Sequence, residues 1–366
     1  MIRAKELIHF LKKKKINFFT GVPDSVTKEF SNELEKNNSI KNIITANEGS
    51  SVAMAAGYYL AQKKIPCVYM QNSGLGNAIN PLSSICHKKV YSIPVLIMIG
   101  WRGSPSSNDE PQHEVMGKIT KKILTLLKIK HCVIKNKNDL KKLNNLIIHC
   151  KKKNEPIGCL VERNIFEKND NITKKNNSFK LTRSEFIKNL LLNIKKNSKI
   201  ISTTGYTSRE LMQIRSALKL KNGRDFYMVG GMGHASILAS GYSLYRNNPI
   251  ICIDGDGSFL MHLGSLHTNG RIKNKNFKHI LINNYSHESV GGQKTNIETI
   301  NIKKLILSFG YKKYLLIKSK SQLKKITKKF LNLAGPIFLE VRVKNHSLKN
   351  LMRPKDLIKI KKKFMI

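Results

Sequence analysis

The chain has 366 residues, enough for two domains of ordinary size, and 40% of them are hydrophobic, ample for real cores. Its 66 Lys and Arg against 23 Asp and Glu give a formal charge of +43, but the excess is nearly all Lys, spread along the chain among Asn and Ile. Base readout and bidentate phosphate clamps favour Arg, so specific nucleic-acid recognition is disfavoured, only nonspecific attraction at low salt is expected, and no stretch reaches the ~18 apolar residues of a membrane span.

In chain order, Ile8 and Leu11 recur at helical spacing within residues 3–14, and Asn17 to Thr20 read as a short strand running into GVPDS. Pro23 fixes that turn, and Asp24 and Ser25 either cap the next helix or face a ligand. Ile43 to Thr45 form a strand, after which Asn47 and Glu48 open the small-residue helix SSVAMAAGYYLA. A glutamate in a first helical turn is stabilising without any other duty. Cys67 to Met70 and Val95 to Ile99 are further strands, ending in QNSG and in Gly100-Trp101-Arg102. The polar loop from Gly103 to Gln112 leads to His113, and Gly158 to Glu162 close the first half as a strand.

The segment EKNDNITKKNNSFK, residues 167–180, is polar and lacks apolar period, the signature of a linker. Beyond it, helix 184–195 precedes the strand Ile200 to Ser202, whose following turn, Thr203-Thr204-Gly205, can offer hydroxyls and N–H groups to a phosphate. Met228 and Val229 lead into GGMGHAS, and Ile337 to Val343 form the last clear strand. Strand and helix thus alternate twice over, which predicts an α/β protein of two doubly wound parallel sheets. The six cysteines are scattered among apolar neighbours without metal-ligand spacing, and the N-terminus has no uninterrupted apolar segment, so a reducing, cytoplasmic setting is expected.

The most informative stretch runs from Ile250 to Asn284. Four apolar residues meet Asp254, Gly255, Asp256 and Gly257, and Phe259, Leu260, Leu263 and Leu266 then recur at helical spacing: a strand, a tight turn and a helix. The apolar run Ile280 to Ile282 ends in Asn283 and Asn284, so two neighbouring strands each deliver an oxygen-bearing side chain at their carboxyl ends, where open α/β sheets bind ligands. Asp256 and Asn284 offer oxygens to a hard divalent cation that phosphate oxygens and water complete, while Gly255 and Gly257 let backbone approach the anion.

GDG, 25 residues and then NN resemble the thiamine diphosphate and Mg²⁺ signature of the thiamine diphosphate-dependent decarboxylases. GVPDS, NEGSSVAMAAGYYLA, QNSGLGNAINPL, DEPQH, STTGYTSREL and GGMGHAS extend the resemblance over most of the chain. NNYSHESVGGQKT is similar to the branch acting on 3-phosphonopyruvate or sulfopyruvate, with Glu288 where that pattern carries Asp. The resemblance implies a pyrimidine-binding domain over 1–166, a linker over 167–180 and a diphosphate- and Mg-binding domain over 181–366, without a middle domain.

It further implies that Glu48 pairs with the pyrimidine N1′ and that Met232 bends the cofactor. Thr204, Gly205, Gly231, Gly255, Asp256, Gly257, Ser258 and Asn284 would also hold the cofactor, and Asp256, Asn284 and the Ser286 carbonyl would ligate Mg²⁺. Ser25, Asn72, Arg102, Gln112 and Lys294 would meet the substrate, and His113, His287 or Asp24 would supply the final proton. At least a homodimer is implied, with the active site between chains. The activity implied is non-oxidative decarboxylation of 3-phosphonopyruvate to phosphonoacetaldehyde in phosphonate biosynthesis. Sulfopyruvate decarboxylation is the alternative; a carboligating synthase is disfavoured for want of its extra domain, and a basic nucleic-acid-binding protein would betray itself by salt-sensitive binding. The basic tail RPKDLIKIKKKFMI departs from the family pattern.

Overall fold

Most apolar runs of the sequence become strands buried on both faces, the pattern of parallel sheets covered by helices. In the computed structural model, which describes residues 1–167 and 177–366, the chain divides into two compact units, Met1–Thr173 and Lys174–Ile366. Most of the segment read as a linker lies outside the described residues.

The first unit holds β1 (Phe18–Gly21), β2 (Lys41–Ile44), β3 (Cys67–Gln71), β4 (Leu96–Gly100), β5 (Lys130–Ile134) and β6 (Ile157–Val161), all parallel, in the order β2-β1-β3-β4-β6-β5. The second holds β7 (Lys199–Ser202), β8 (Asp225–Tyr227), β9 (Ile250–Gly255), β10 (Phe277–Asn283), β11 (Lys313–Ile317) and β12 (Ile337–Arg342). Their order, β8-β7-β9-β10-β12-β11, repeats that of the first sheet strand for strand. The two halves show no obvious repeat at the level of residues, yet they share one topology. In both, the chain order reverses beside the first strand of the unit, between β1 and β3 and between β7 and β9.

Each sheet lies between two apolar clusters, and among the described residues no cluster mixes residues of the two units. Along β9 the side chains alternate, Ile251 and Ile253 packing on one face and Ile250 and Cys252 on the other. The strands that sequence reading overlooked, β5, β8 and β11, are sheet edges that carry half-buried residues, β5 and β11 beginning in exposed lysines, so they lack the apolar run of an interior strand. The basic tail forms helix Leu357–Met365, whose one buried side chain, Phe364, meets Phe226 and Tyr242 at ring separations of 5.6 and 5.1 Å. Lys199 Nζ donates to its Phe364 carbonyl at 2.8 Å, tying the tail to the start of β7. No cysteine is in a disulfide, and among the described residues no helix is long and apolar enough to cross a membrane.

Phe338, fully buried on β12, has Phe259, His279, Tyr311 and Tyr314 around its ring, with centroids 4.9 to 6.3 Å away. Phe338→Ala is expected to destabilise the second unit by about 3–5 kcal/mol, read by chemical denaturation.

Candidate active site

At the carboxyl edge of the second sheet, β7, β9 and β10 end side by side at the point where chain order reverses, the usual ligand position of such sheets. A cleft lies there, partly open to solvent. Its walls are Thr203 and Thr204 after β7, Gly255 to Ser258 at the end of β9, and Asn284 and Ser286 to Ser289 after β10, with Arg183, Met232 and Ile282 among the other lining residues. Gly205 and Gly231 have φ of 89° and 63°, conformations that favour glycine, and they set the backbone beside Thr204 and Met232, which reach the cleft.

Ser258 ties three of these segments together. Its hydroxyl oxygen accepts from Thr203 Oγ1 at 2.8 Å and from the Gly233 N–H at 3.0 Å. Gly257 is glycine for want of room: a Cβ there would stand 2.7 Å from the His287 ring and 3.2 Å from Met232 Cε. Gly255 has no such neighbour, its nearest contact being Thr203 Cγ2 at 4.0 Å, so its missing side chain keeps the cleft open. Burial pushes the His287 imidazole down to about 4, leaving it neutral at neutral pH.

Asp256 is buried, and three donors gather on it. Oδ1 accepts from the Gly257 N–H at 2.9 Å, and Oδ2 accepts from the Ser286 N–H at 2.9 Å and Thr295 Oγ1 at 3.1 Å. Desolvation nevertheless pushes its carboxyl up to about 7. Asn284 Oδ1 accepts from the same Ser286 N–H at 3.2 Å, so a carboxylate oxygen and an amide oxygen converge on one point. The Ser286 hydroxyl is buried there without a hydrogen-bond partner. Bonds from His287 N to Gln293 O and from Thr295 N to Tyr285 O straddle Ser286, and its own carbonyl takes no part in that pairing. A convergent, all-oxygen set with an orphaned hydroxyl fits a hard cation such as Mg²⁺, completed by diphosphate oxygens and water. Only one of the two asparagines serves the cleft, since Asn283 Nδ2 donates to Glu340 Oε1 at 3.0 Å on the neighbouring strand.

In the first unit, Glu48 opens helix Glu48–Gln62 but is buried rather than solvated. Burial raises its pKa, and a single side-chain donor, Asn77 Nδ2 on Oε2 at 2.7 Å, opposes that shift. Gly74 makes room for the carboxyl, because a Cβ there would collide with Oε1.

Asp24 is also buried, with a raised pKa, but its oxygens are taken up. Oδ1 accepts from the Val26 N–H at 2.6 Å and the Thr27 N–H at 3.1 Å, and Oδ2 from the Thr27 hydroxyl. That is a side-chain turn ahead of helix Lys28–Lys36, whose own N-cap, Thr27, makes no side-chain cap bond. Asn72 is fully buried, its amide bonded to the Arg102 carbonyl at 2.8 Å and the Arg102 N–H at 3.1 Å, so it holds backbone. Arg102 forks onto Asp109 through Nε at 2.6 Å and Nη2, and donates from Nη1 to Ser25 Oγ at 2.9 Å. Gln112 and His113 are half-buried in the first turn of helix Pro111–Leu126, and Lys294 is exposed across the hairpin from Ser286.

Sequence reading passed over Asn77 as the partner of Glu48, Thr295 on Asp256, and Arg183, which bonds both Glu210 and Glu288 beside the cleft. STTGYTSREL contains Glu210, but nothing in the local pattern announces a partner 27 residues upstream.

Two doubly wound parallel-sheet units, one with a hydroxyl-, glycine- and carboxylate-lined cleft at its switch point, define an enzyme that holds a phosphorylated cofactor. The N-terminal binding domain of the thiamine pyrophosphate enzymes matches residues 2–123, and their C-terminal binding domain matches residues 203–341. Phosphonopyruvate decarboxylases of Streptomyces viridochromogenes and Streptomyces hygroscopicus are each 30% identical to the chain over 97% of its length, spanning 92% and 91% of their own. A sulfopyruvate decarboxylase of Methanosarcina acetivorans is 29% identical over 68% of the chain and 67% of its own length. The chain belongs to the thiamine pyrophosphate-dependent decarboxylases, alongside the phosphonopyruvate and sulfopyruvate decarboxylases.

The raised pKa of Glu48 has a sign that stability measurements can read. As pH rises from the ordinary carboxyl range towards the higher pKa of the folded state, the unfolded chain ionises first, so the fold loses stability over that window and does not regain it above. Glu48→Gln should therefore raise the Tm of the cofactor-free protein at pH 8 and leave it unchanged at pH 4. Equal Tm values at pH 8 would mean that the carboxyl is not held in a desolvated state.

Proposed function

We propose that the chain binds thiamine diphosphate with Mg²⁺ and decarboxylates 3-phosphonopyruvate, without oxidation, to phosphonoacetaldehyde and CO₂, as a step of phosphonate biosynthesis. The observation that carries the cofactor reading is the convergence of Asp256 Oδ2 and Asn284 Oδ1 beside the orphaned Ser286 hydroxyl. The likeness to phosphonopyruvate decarboxylases, nearly complete along both chains, supports the substrate.

Asp256, Asn284 and the Ser286 carbonyl would hold the cation, while Thr204 and the free N–H groups of helix Tyr206–Ala217 face the diphosphate. Thiamine diphosphate, when bound, supplies the electron sink for the breaking C–C bond. Glu48, kept in a desolvated site, gives and takes a proton at its carboxyl oxygens. Met232 and Ile282 give the cleft apolar surface that keeps water from the reacting carbon. Of the three residues considered for the final proton, Asp24 is occupied by the turn it forms with Val26 and Thr27, and His287 lines the cleft.

For the anionic end of the substrate, Arg102 and Lys294 are the proposed cations. Asp109 sits between Arg102 and Arg163, whose Nη1 is 3.7 Å away, so that cluster keeps one net positive charge. A phosphonate carries nearly two charges at neutral pH and a sulfonate one, so charge count separates the substrates. An active site shared between two copies of the chain is supported by helix Glu48–Gln62, rich in apolar residues nearly all round, yet exposed at Ala53, Met54, Gly57 and Leu60.

With thiamine diphosphate and Mg²⁺ supplied, phosphonopyruvate should exceed sulfopyruvate and pyruvate in kcat/KM. A preference for sulfopyruvate above about tenfold, roughly 1.4 kcal/mol of transition-state binding, would overturn the substrate and leave the cofactor chemistry standing. Asp256→Ala should abolish thiamine diphosphate binding in calorimetry while preserving the circular dichroism of the fold. Light scattering should find the active species to be at least a dimer; an active monomer would remove the shared site.

A further inference from the structure

We propose that Glu288 is a positioning residue that fixes which end of the Asn284 amide faces the cation. The inference rests on the reading of Asp256 and Asn284 as Mg²⁺ ligands. An amide presents oxygen and nitrogen in nearly the same shape, and only the oxygen can ligate a cation; the reversed amide would aim two N–H bonds at it.

Two neighbours select the orientation, each by a chemistry it cannot reverse. The Ser286 N–H can only donate, and it meets Oδ1 at 3.2 Å. That contact alone is weakly selective, because the same N–H already serves Asp256 at 2.9 Å. A Glu288 carboxylate oxygen can only accept, and Oε2 receives Asn284 Nδ2 at 3.0 Å. The same Oε2 accepts from Arg183 Nη2 at 3.1 Å, which holds Glu288 in place. Arg183 is itself fixed by Glu210, 3.2 Å from Nε, by the His346 carbonyl at 3.2 Å and by the Tyr206 ring. One guanidinium shared by two carboxylates is not a free clamp for a substrate anion, although it lines the cleft. Its charge is committed to holding the lock.

The test reads Mg²⁺ affinity, by calorimetric titration in the presence of thiamine diphosphate, rather than turnover. Glu288→Ala should weaken Mg²⁺ by tenfold to a hundredfold, the usual cost of losing a group that orients a metal ligand. Glu288→Gln, whose carbonyl oxygen can still accept from Asn284, should bind nearly as the unaltered protein does. The sharpest comparison uses Asn284→Asp. Next to Glu288 it sets two carboxylates against each other and should bind Mg²⁺ poorly, whereas the double variant Asn284→Asp, Glu288→Gln lets the new amide donate to Asp and should recover affinity. Unchanged affinity in Glu288→Ala, or an Asn284→Asp variant indifferent to residue 288, would overturn the lock. If Asp256→Ala abolished Mg²⁺ binding in those same titrations, the ligand reading would survive that failure. If Asp256→Ala bound Mg²⁺ normally, the ligand reading and the lock would fall together.

Discussion

The second unit is governed by the cost of burying the Asp256 carboxylate at a strand end. A charge taken out of water must be met by donors or a cation, or else take up a proton. Here a strand end, a turn and a hairpin converge to meet it: the Gly257 N–H, the Ser286 N–H and the Thr295 hydroxyl all point at one carboxyl group. Even so, burial leaves the group at about 7, so the donors fall short of what full ionisation requires. The hairpin from Tyr285 to Thr295 is shaped by the same demand, down to a non-glycine residue, Tyr285, held at φ 62°.

The first unit treats two of its buried carboxyls, Asp24 and Glu48, differently, and the contrast is informative. Asp24 is surrounded by donors at a helix start, leaving little capacity for anything else. Both sit in recesses made by a glycine, Gly100 and Gly74, but Glu48 has a single side-chain donor. A carboxyl that is desolvated yet sparsely bonded is available to a ligand, whereas a saturated one is architecture. Burial and pKa direction alone would have ranked the two alike.

Much of the fold was legible because interior parallel strands announce themselves as apolar runs, and the runs at Ile250, Ile280 and Ile337 became β9, β10 and β12. The edge strands β5, β8 and β11 were not, since half-exposed edges do not need such runs. Of the site, the glycines, Asp256 and Asn284 stood out because tight turns and strand ends constrain residue type locally. What stayed hidden were pairings across long sequence separations: Glu48 with Asn77, Arg183 with Glu210 and Glu288, and Asn72 with the Arg102 backbone. A side-chain amide or guanidinium reads the same in sequence whether it meets a ligand or holds a neighbour. Topology, not pattern, decides between those uses.

The shared strand order and the separate cores bear on how such a chain can be encoded. Among the described residues no apolar cluster draws on both halves, so the side chains that close each core come from within one unit. Two modules of one topology, each with its core drawn from its own side chains, write one strand order in two different residue patterns.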